Sequence, residues 1–320
     1  MPVNRWQERS IDVPATRIIF AGGGTGGHLF PAIAIANEVK KLQPDAEILF
    51  VGTRDKIEAR IVPQHGFKFR TIWISGFHRR INVSNVLFPI KVIVSMAQAY
   101  RIIKQFHPDV VVGTGGYVSG PILRMAVMLN VPTLIQEQNS YPGVTTRMLA
   151  QKVNEVHLTF ESSRTYLQRT DGVYVSGNPV REGLGRVQKS EALRYFGFDE
   201  YEQKKTLLVF GGSLGAHTIN SAIEQHLDEL LKLDVRLIWQ TGKEECERMK
   251  KYSGNNVWVN VFIDRMDFAY AASDLVICRA GATTIAELTV LGKAAVLIPY
   301  PRAAANHQVE NARSLAQAGA

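Results

Sequence analysis

Short runs of β-branched and large apolar residues recur along the chain, each followed by a turn and a stretch with helical spacing. Residues 17–21 (RIIFA), 47–51, 69–74, 110–112, 133–136 and 156–160 read as strands, and 31–42, 84–106 and 120–130 as helices. Near-continuous apolar strands separated by helices predict a parallel sheet covered on both faces. Residues 177–190 break the pattern with Gly177, Pro179, Gly183, Gly185 and several charges, and read as a linker. The pattern then restarts. Residues 207–210 form a strand, GGSLG follows at 211–215, and a helix opens at Ala216. Further strands are expected at 236–240, 257–262, 275–278 and 295–298. Each half thus opens with a strand, a glycine turn and a helix, with no residue-level repeat between the halves. The simplest architecture is α/β: two Rossmann-like, doubly wound parallel-sheet domains facing a cleft. The expected division is an extension over 1–16, a first domain over 17–181, a linker over 182–190 and a second domain over 191–320.

Composition narrows the class. In 320 residues, 26 Gly and 13 Pro are ordinary levels, which excludes collagen-like and low-complexity readings. Two cysteines, Cys246 and Cys278, exclude a disulfide scaffold and a CxxC metal site. The start of the chain is polar and lacks the apolar region of a secretory signal. The longest apolar-rich stretch, 86–106, is interrupted by Pro89, Lys91, Arg101 and Lys104, so no spanning helix is expected. The chain therefore reads as soluble and cytoplasmic, with surface attachment to a membrane left open. Lys plus Arg (37) exceeds Asp plus Glu (29), giving +8 and pointing to an anionic partner. The cations are scattered and no nucleic-acid-binding signature is present, so nucleic acid is not expected. Apolar residues beside cations from Phe77 to Lys104 suit an anionic bilayer surface, or else a covering helix with solvated charges.

The candidate chemistry sits in the turns. The loop Gly22-Gly23-Gly24-Thr25-Gly26-Gly27 matches GxGxxG, in which backbone amides approach a phosphate at a helix N-terminus. A dinucleotide site would also want an acid after the second strand, where this chain has Val51-Gly52-Thr53-Arg54. His28 closes the loop; it reads equally as a general base and as a structural histidine. A second glycine loop spans Gly113 to Pro121 and reads as a pyrophosphate-binding loop or a tightly packed turn, and Gln136-Glu137-Gln138-Asn139 reads as a cleft-lining run or an ordinary polar loop. In the second half, Ser213 stands in a third glycine turn. Small residues at 279–286 precede Glu287, which suits either a ribose diol or a capping box with Thr283 or Thr284. Asn306-His307-Gln308 opens the last helix.

Taken together, GGGTGGHLFPAIAIA, GTGGYVSGP, QEQNSYPG, GNPVR, FGGSLGA, FIDRM, CRAGATTIAEL and HQVENA resemble, in content and order, the peptidoglycan glycosyltransferase family that converts lipid I to lipid II. The resemblance covers residues 17–320. It implies the glycosyltransferase B fold and an inverting transfer of N-acetylglucosamine. The donor would be UDP-N-acetylglucosamine and the acceptor the muramyl 4-hydroxyl of undecaprenyl-pyrophosphoryl-MurNAc-pentapeptide. No metal or cofactor is implied, and the protein would sit peripherally on the cytoplasmic face of an anionic bacterial membrane. By the same resemblance Thr25, Gly26 and Gly27 lie near the donor's sugar and diphosphate, and Asn139 lies beside the transferred sugar. Arg181 and Ser213 help to hold the donor. Ile263 meets the uracil through its backbone. Ala282, Thr283, Thr284, Ile285 and Ala286 cradle the diphosphate, and Glu287 takes the ribose. Gln308 meets sugar hydroxyls, and His28 matches the candidate base. Two departures stand out: residues 301–305 lack an acid often present there, and family members continue past the position of Ala320, so closing helices are expected to be missing. The competing readings are a non-catalytic sugar-nucleotide-binding or membrane-scaffold relative of the same fold, and a UDP-N-acetylglucosamine 2-epimerase.

Overall fold

The computed structural model describes residues 15–76, 87–212, 214–301, 303, 306–317 and 319. Most of the N-terminal extension, the opening of the basic apolar stretch (77–86) and Ser213 lie outside the described residues.

The first sheet has seven strands: β1 (Arg17–Gly22), β2 (Glu47–Gly52), β3 (Lys68–Thr71), β4 (Val110–Gly115), β5 (Thr133–Glu137), β6 (Glu155–Leu158) and β7 (Val173–Val175). Their spatial order is β3-β2-β1-β4-β5-β6-β7, and every pairing is parallel. The helices between them are α1 (Gly26–Leu42), α2 (Ile57–Gln64), α3 (Phe88–Phe106), α4 (Gly116–Met128) and α5 (Val144–Leu149). The second sheet has five parallel strands in the order β10-β9-β8-β11-β12. They are β8 (Lys205–Phe210), β9 (Val235–Gln240), β10 (Val257–Asn260), β11 (Leu275–Cys278) and β12 (Ala295–Leu297). Its helices are α6 (Lys189–Tyr195), α7 (His217–Gln225), α8 (Leu227–Leu231), α9 (Cys246–Met249), α10 (Met266–Ala272), α11 (Ala282–Leu291) and α12 (His307–Gln317).

The pleat explains why the central strands look uniformly apolar. In β1, Ile19 and Ala21 pack with Ile103, Ile122 and Ala126 under α3 and α4, whereas Ile18 and Phe20 pack with Leu29, Ile33 and Val62 under α1 and α2. Successive side chains enter opposite cores, so both must be apolar. The second sheet repeats the device. Leu208 and Phe210 face α6 and α10, and Leu207, Val209 and Trp239 face α7. Edge strands relax the pattern, with Lys68 and Arg70 exposed on β3.

The helix boundaries differ from expectation in a way that matters for the site. The sequence pattern places the helix starts at Pro31 and Gly120. Both helices begin about a turn earlier, at Gly26 and Gly116, and hold their prolines inside. The glycine-loop residues Gly26, Gly27 and His28 are thus the first turn of α1. The third strand was expected over 69–74 but ends at Thr71, and Ile72 and Ile74 leave the sheet to enter the core. β7 has three residues, too few for a periodic signal.

Asp274, at the root of β11, ties this strand to α6 and β8. It accepts bonds from Lys189 Nζ at 2.7 Å and from the Thr206 N–H at 2.8 Å. Burial opposes its ionisation, but the Lys189 ammonium and the Thr206 N–H outweigh it and hold the carboxyl below its usual value. A depressed folded-state value means the stabilisation is complete above the unfolded value of about 3.9 and is lost as pH falls through the folded one. Asp274→Asn is expected to destabilise by about 1 kcal/mol at neutral pH. The gap from wild type should close in strong acid, as thermal melts across pH would show.

Candidate functional site

In open α/β sheets a crevice forms where the strand order reverses, outside the carboxyl ends of the two strands concerned. Here those strands are β1 with β4, and β8 with β11. The glycine loops singled out in the sequence follow these strands. The two loops of the first sheet touch: a Cβ on Gly116 would lie 2.4 Å from the Gly23 carbonyl, and Gly116 has φ +77°. Only glycine satisfies both conditions.

Thr25 is the N-cap of α1, its side chain caps nothing, and no acid occupies the first turn. The first-turn amides of Gly26 and Gly27 are therefore available to an anion or a polar oxygen. The Gly24 amide is not, because it donates to Glu58 Oε2 at 2.9 Å. Glu58 is fully buried and its other oxygen accepts from the Thr53 N–H and hydroxyl at 3.0 and 2.8 Å. It joins the ends of β1 and β2 and fixes the loop's shape. His28 is half-buried and held at two points. Its carbonyl accepts from Thr114 Oγ1 at 2.8 Å, and its Nδ1 meets Gln138 Oε1 at 2.8 Å.

The run Gln136 to Asn139 is not the row of cleft-lining groups expected. Gln136, Glu137 and Gln138 are buried at 2–4% exposure. Glu137 accepts from the Asn139 N–H and amide through one oxygen, and from the Gly143 N–H and Thr146 hydroxyl through the other. A carboxylate so fully engaged at the N-terminus of α5 organises the loop. Asn139 alone of the four is partly exposed.

On the second sheet, α11 starts from Gly281 as N-cap, without a side-chain cap. The capping-box reading of Glu287 does not hold, because its carboxylate points elsewhere. It is 2% exposed, and it accepts from Arg181 Nε at 2.6 Å and from the Tyr270 hydroxyl at 2.9 Å. Burial, then the Glu287 charge, push the Tyr270 phenol well above its usual value, so it remains a donor. Burial and the same charge push the Cys278 thiol up to about 12, which removes it as a nucleophile. Ala282 and Ile285 turn their side chains into the protein, so this segment offers backbone and the hydroxyls of Thr283 and Thr284. Thr283 Oγ1 is buried and has no partner among the described residues, a hydroxyl that suits a ligand oxygen.

Ile263 is 1% exposed, and its N–H donates to Gln240 Oε1 at 2.9 Å. Gln240 in turn donates to the Gly212 carbonyl at 2.8 Å, joining the Gly211–Gly212 turn to Ile263. Gln308 accepts from the Tyr300 N–H at 2.8 Å at the start of α12. Ser213 lies outside the described residues.

The two halves meet through a closed circuit. From His28 it passes to Gln138 and its neighbour Asn139. Asn311, fully buried, then accepts from the Ser140 N–H and hydroxyl at 2.9 and 3.0 Å and donates to the Ala280 carbonyl at 3.2 Å. α11 follows, with Glu287 and Arg181, whose guanidinium lies 5.3 Å from the Phe30 ring of α1. His28, Asn139, Arg181, Glu287 and the start of α11 are thereby linked in one network that joins the two halves. Glu58, Gln240, Tyr270 and Asn311 were not singled out in the sequence, and Gln138 was named only within the run read as a cleft lining. Glu58 carried a weak signal, since it shares the buried face of α2 with Val62 at i,i+4 spacing. Among the described residues no group of three or more His, Cys, Asp or Glu is placed to hold a metal ion.

Residues 18–158 match the glycosyltransferase family 28 N-terminal domain, and 206–320 its C-terminal domain. A UDP-N-acetylglucosamine–N-acetylmuramyl-(pentapeptide) pyrophosphoryl-undecaprenol N-acetylglucosamine transferase of Flavobacterium psychrophilum is 46% identical over 302 residues, covering 93% of this chain and 82% of that protein. The enzyme of the same name from Parabacteroides distasonis is 48% identical over 305 residues, with the same coverage of 93% and 82%. The crystal structure of Acinetobacter baumannii MurG superposes with a TM-score of 0.71 at 30% identity, covering 96% of this chain and 85% of that one.

Proposed function

The chain belongs to the glycosyltransferase family 28 enzymes that these transferases represent, and from that premise we propose that it moves N-acetylglucosamine from UDP-N-acetylglucosamine to the muramyl 4-hydroxyl of undecaprenyl-pyrophosphoryl-MurNAc-pentapeptide. The observation that carries the reading is the circuit that joins the two halves. It sets a histidine with an open ring nitrogen on one side and a helix N-terminus with an orphan hydroxyl on the other.

The chemistry follows from those parts. Inversion at the anomeric carbon takes one displacement. The acceptor oxygen forms the new bond to C1 as its proton passes to His28, and the C1–O bond to the diphosphate breaks with its electron pair. Charge then develops on UDP. The first-turn amides of α11 and the Thr283 hydroxyl supply fixed dipoles toward it, in the manner of an oxyanion hole. Glu287 accepts from the ribose diol through lone pairs that Arg181 and Tyr270 leave unused, since an ionised carboxylate has about four acceptor sites. The Ile263 carbonyl accepts from the uracil N3–H. Asn139 and Gln308 contact the transferred sugar, and the amides of Gly26 and Gly27 approach the phosphates from the first sheet.

The acceptor is a polyprenyl lipid, so the enzyme works at a membrane surface. No helix among the described residues is long and apolar enough to cross a membrane. Support for docking comes from α3 and its neighbour, where Leu87, Ile90, Ile93 and Trp73 are 40–71% exposed beside Lys91. Apolar side chains next to cations suit the cytoplasmic face of an anionic bilayer.

Incubation with UDP-N-acetylglucosamine and a lipid I analogue is expected to release UDP and yield the β-1,4 disaccharide lipid. Donor binding by calorimetry without UDP release would favour the non-catalytic relative. UDP-N-acetylmannosamine formed without acceptor, seen by NMR, would favour the epimerase.

A further inference from the structure

His28 is held by a side chain that the reaction scheme does not use. Gln138 is 2% exposed and lies 110 residues further along the chain. One end of its amide faces three oxygens: the Thr114 carbonyl at 2.7 Å, the Gln136 carbonyl at 2.9 Å and Gln136 Oε1 at 2.6 Å. Backbone carbonyls only accept, so that end must be the NH2. Gln136 is oriented in the same way, its own amide nitrogen lying 3.4 Å from the Glu137 and Gly177 carbonyls. The other end of Gln138 is therefore an oxygen, set 2.8 Å from His28 Nδ1. An amide oxygen has no hydrogen to give, so Nδ1 must carry the proton of the neutral ring. The reverse tautomer would place two lone pairs against each other in a buried pocket. The ring fills the space that a side chain at 115 would need, since a Cβ built on Gly115 would lie 2.6 Å from Nδ1.

We propose that Gln138 is a positioning residue that fixes His28 in the Nδ1–H tautomer and so leaves Nε2 as the proton acceptor of the ring. Nε2 has no partner among the described residues. The device uses a neutral amide where a carboxylate would also accept from Nδ1–H. A neutral partner fixes orientation without adding a negative charge beside a site that binds an anionic acceptor and an anionic donor. The proposal rests on the reading of His28 as the base, but the tautomer itself is open to measurement without turnover.

The test is NMR of the whole protein labelled with 15N-histidine, with the His28 signals assigned by their absence from His28→Ala. Wild type is expected to show Nδ1 protonated and Nε2 unprotonated in the neutral ring. Gln138→Ala is expected to move population to the Nε2–H form and to lower kcat by roughly 10- to 100-fold, with the donor KM little changed. An Nε2–H tautomer in wild type overturns the proposal, and that measurement needs no variant at position 138. So does an unchanged His28 spectrum in folded Gln138→Ala. Full turnover by His28→Ala with the Nδ1–H tautomer present would instead remove the base reading and leave the tautomer assignment standing.

Discussion

His28→Ala is expected to lower kcat by about 10²- to 10⁴-fold, the range over which a positioned proton acceptor contributes. The KM for UDP-N-acetylglucosamine should change little. The His28 ring is given no contact with the donor's ground state, and the side chains and carbonyl proposed for the nucleoside diphosphate, from Glu287, Thr283 and Ile263, stand on or beside the second sheet. A transition-state contribution that is absent from the ground state lowers kcat and kcat/KM together. Folding should be little affected, because the residue is half-buried and its ring makes one hydrogen bond to the protein. Steady-state UDP release at saturating donor, with a lipid I analogue varied, measures both constants. An unchanged kcat would remove His28 as the base and turn attention to the acceptor's own phosphates. A rise in donor KM with kcat preserved would place the histidine in donor binding.

The sheets were legible in the sequence because their central strands feed two cores at once. Ile18 to Ala21 is apolar at every position, and so is Leu207 to Phe210, which no surface strand would sustain. The glycine turns were legible for a related reason, since close approach of backbone to backbone, as between Gly116 and Gly23, leaves no other residue type. His28, Glu287 and Asn139 could be named because they stand within or beside such turns. The pairings that aim them could not. Gln138 meets His28 across 110 residues, Gly24 meets Glu58 across 34 and Ser140 meets Asn311 across 171. Local pattern carries no trace of such pairs. A buried amide or carboxylate looks, in sequence, like any polar residue in a loop or on a helix. The misreading of Gln136 to Asn139 as a cleft lining has that origin: four polar residues at a strand end are equally a wet surface and a buried scaffold, and only the fold decides. The helix starts were read about a turn late because Gly26, Gly27 and Gly116 look like loop residues in sequence, whereas the fold makes them the first turns of α1 and α4.

Glu287→Ala is expected to have the other large effect, on donor affinity and on stability together. The carboxylate is nearly fully buried and joins Arg181 to Tyr270. Removing it leaves the phenol without its acceptor and a guanidinium beside an empty space. Loss of one partner from a buried pair costs about 3 kcal/mol, toward the lower end of the range here because the Arg181 side chain keeps 31% of its exposure and can reach water. Urea denaturation would read that loss. If the ribose diol bonds to this carboxylate, the donor KM rises by roughly 10- to 100-fold, the equivalent of one or two hydrogen bonds to a charged acceptor. The same variant should no longer prefer UDP-N-acetylglucosamine over its 2′-deoxyribose analogue, because the group that reads the hydroxyl is gone. Tyr270→Phe separates the two effects. It removes the partner behind the carboxylate and keeps the carboxylate, so stability falls while the preference for ribose remains. A Glu287→Ala enzyme that keeps both its donor KM and its preference for ribose would show that Glu287 serves the fold alone, as the buried tie between Arg181 and α10.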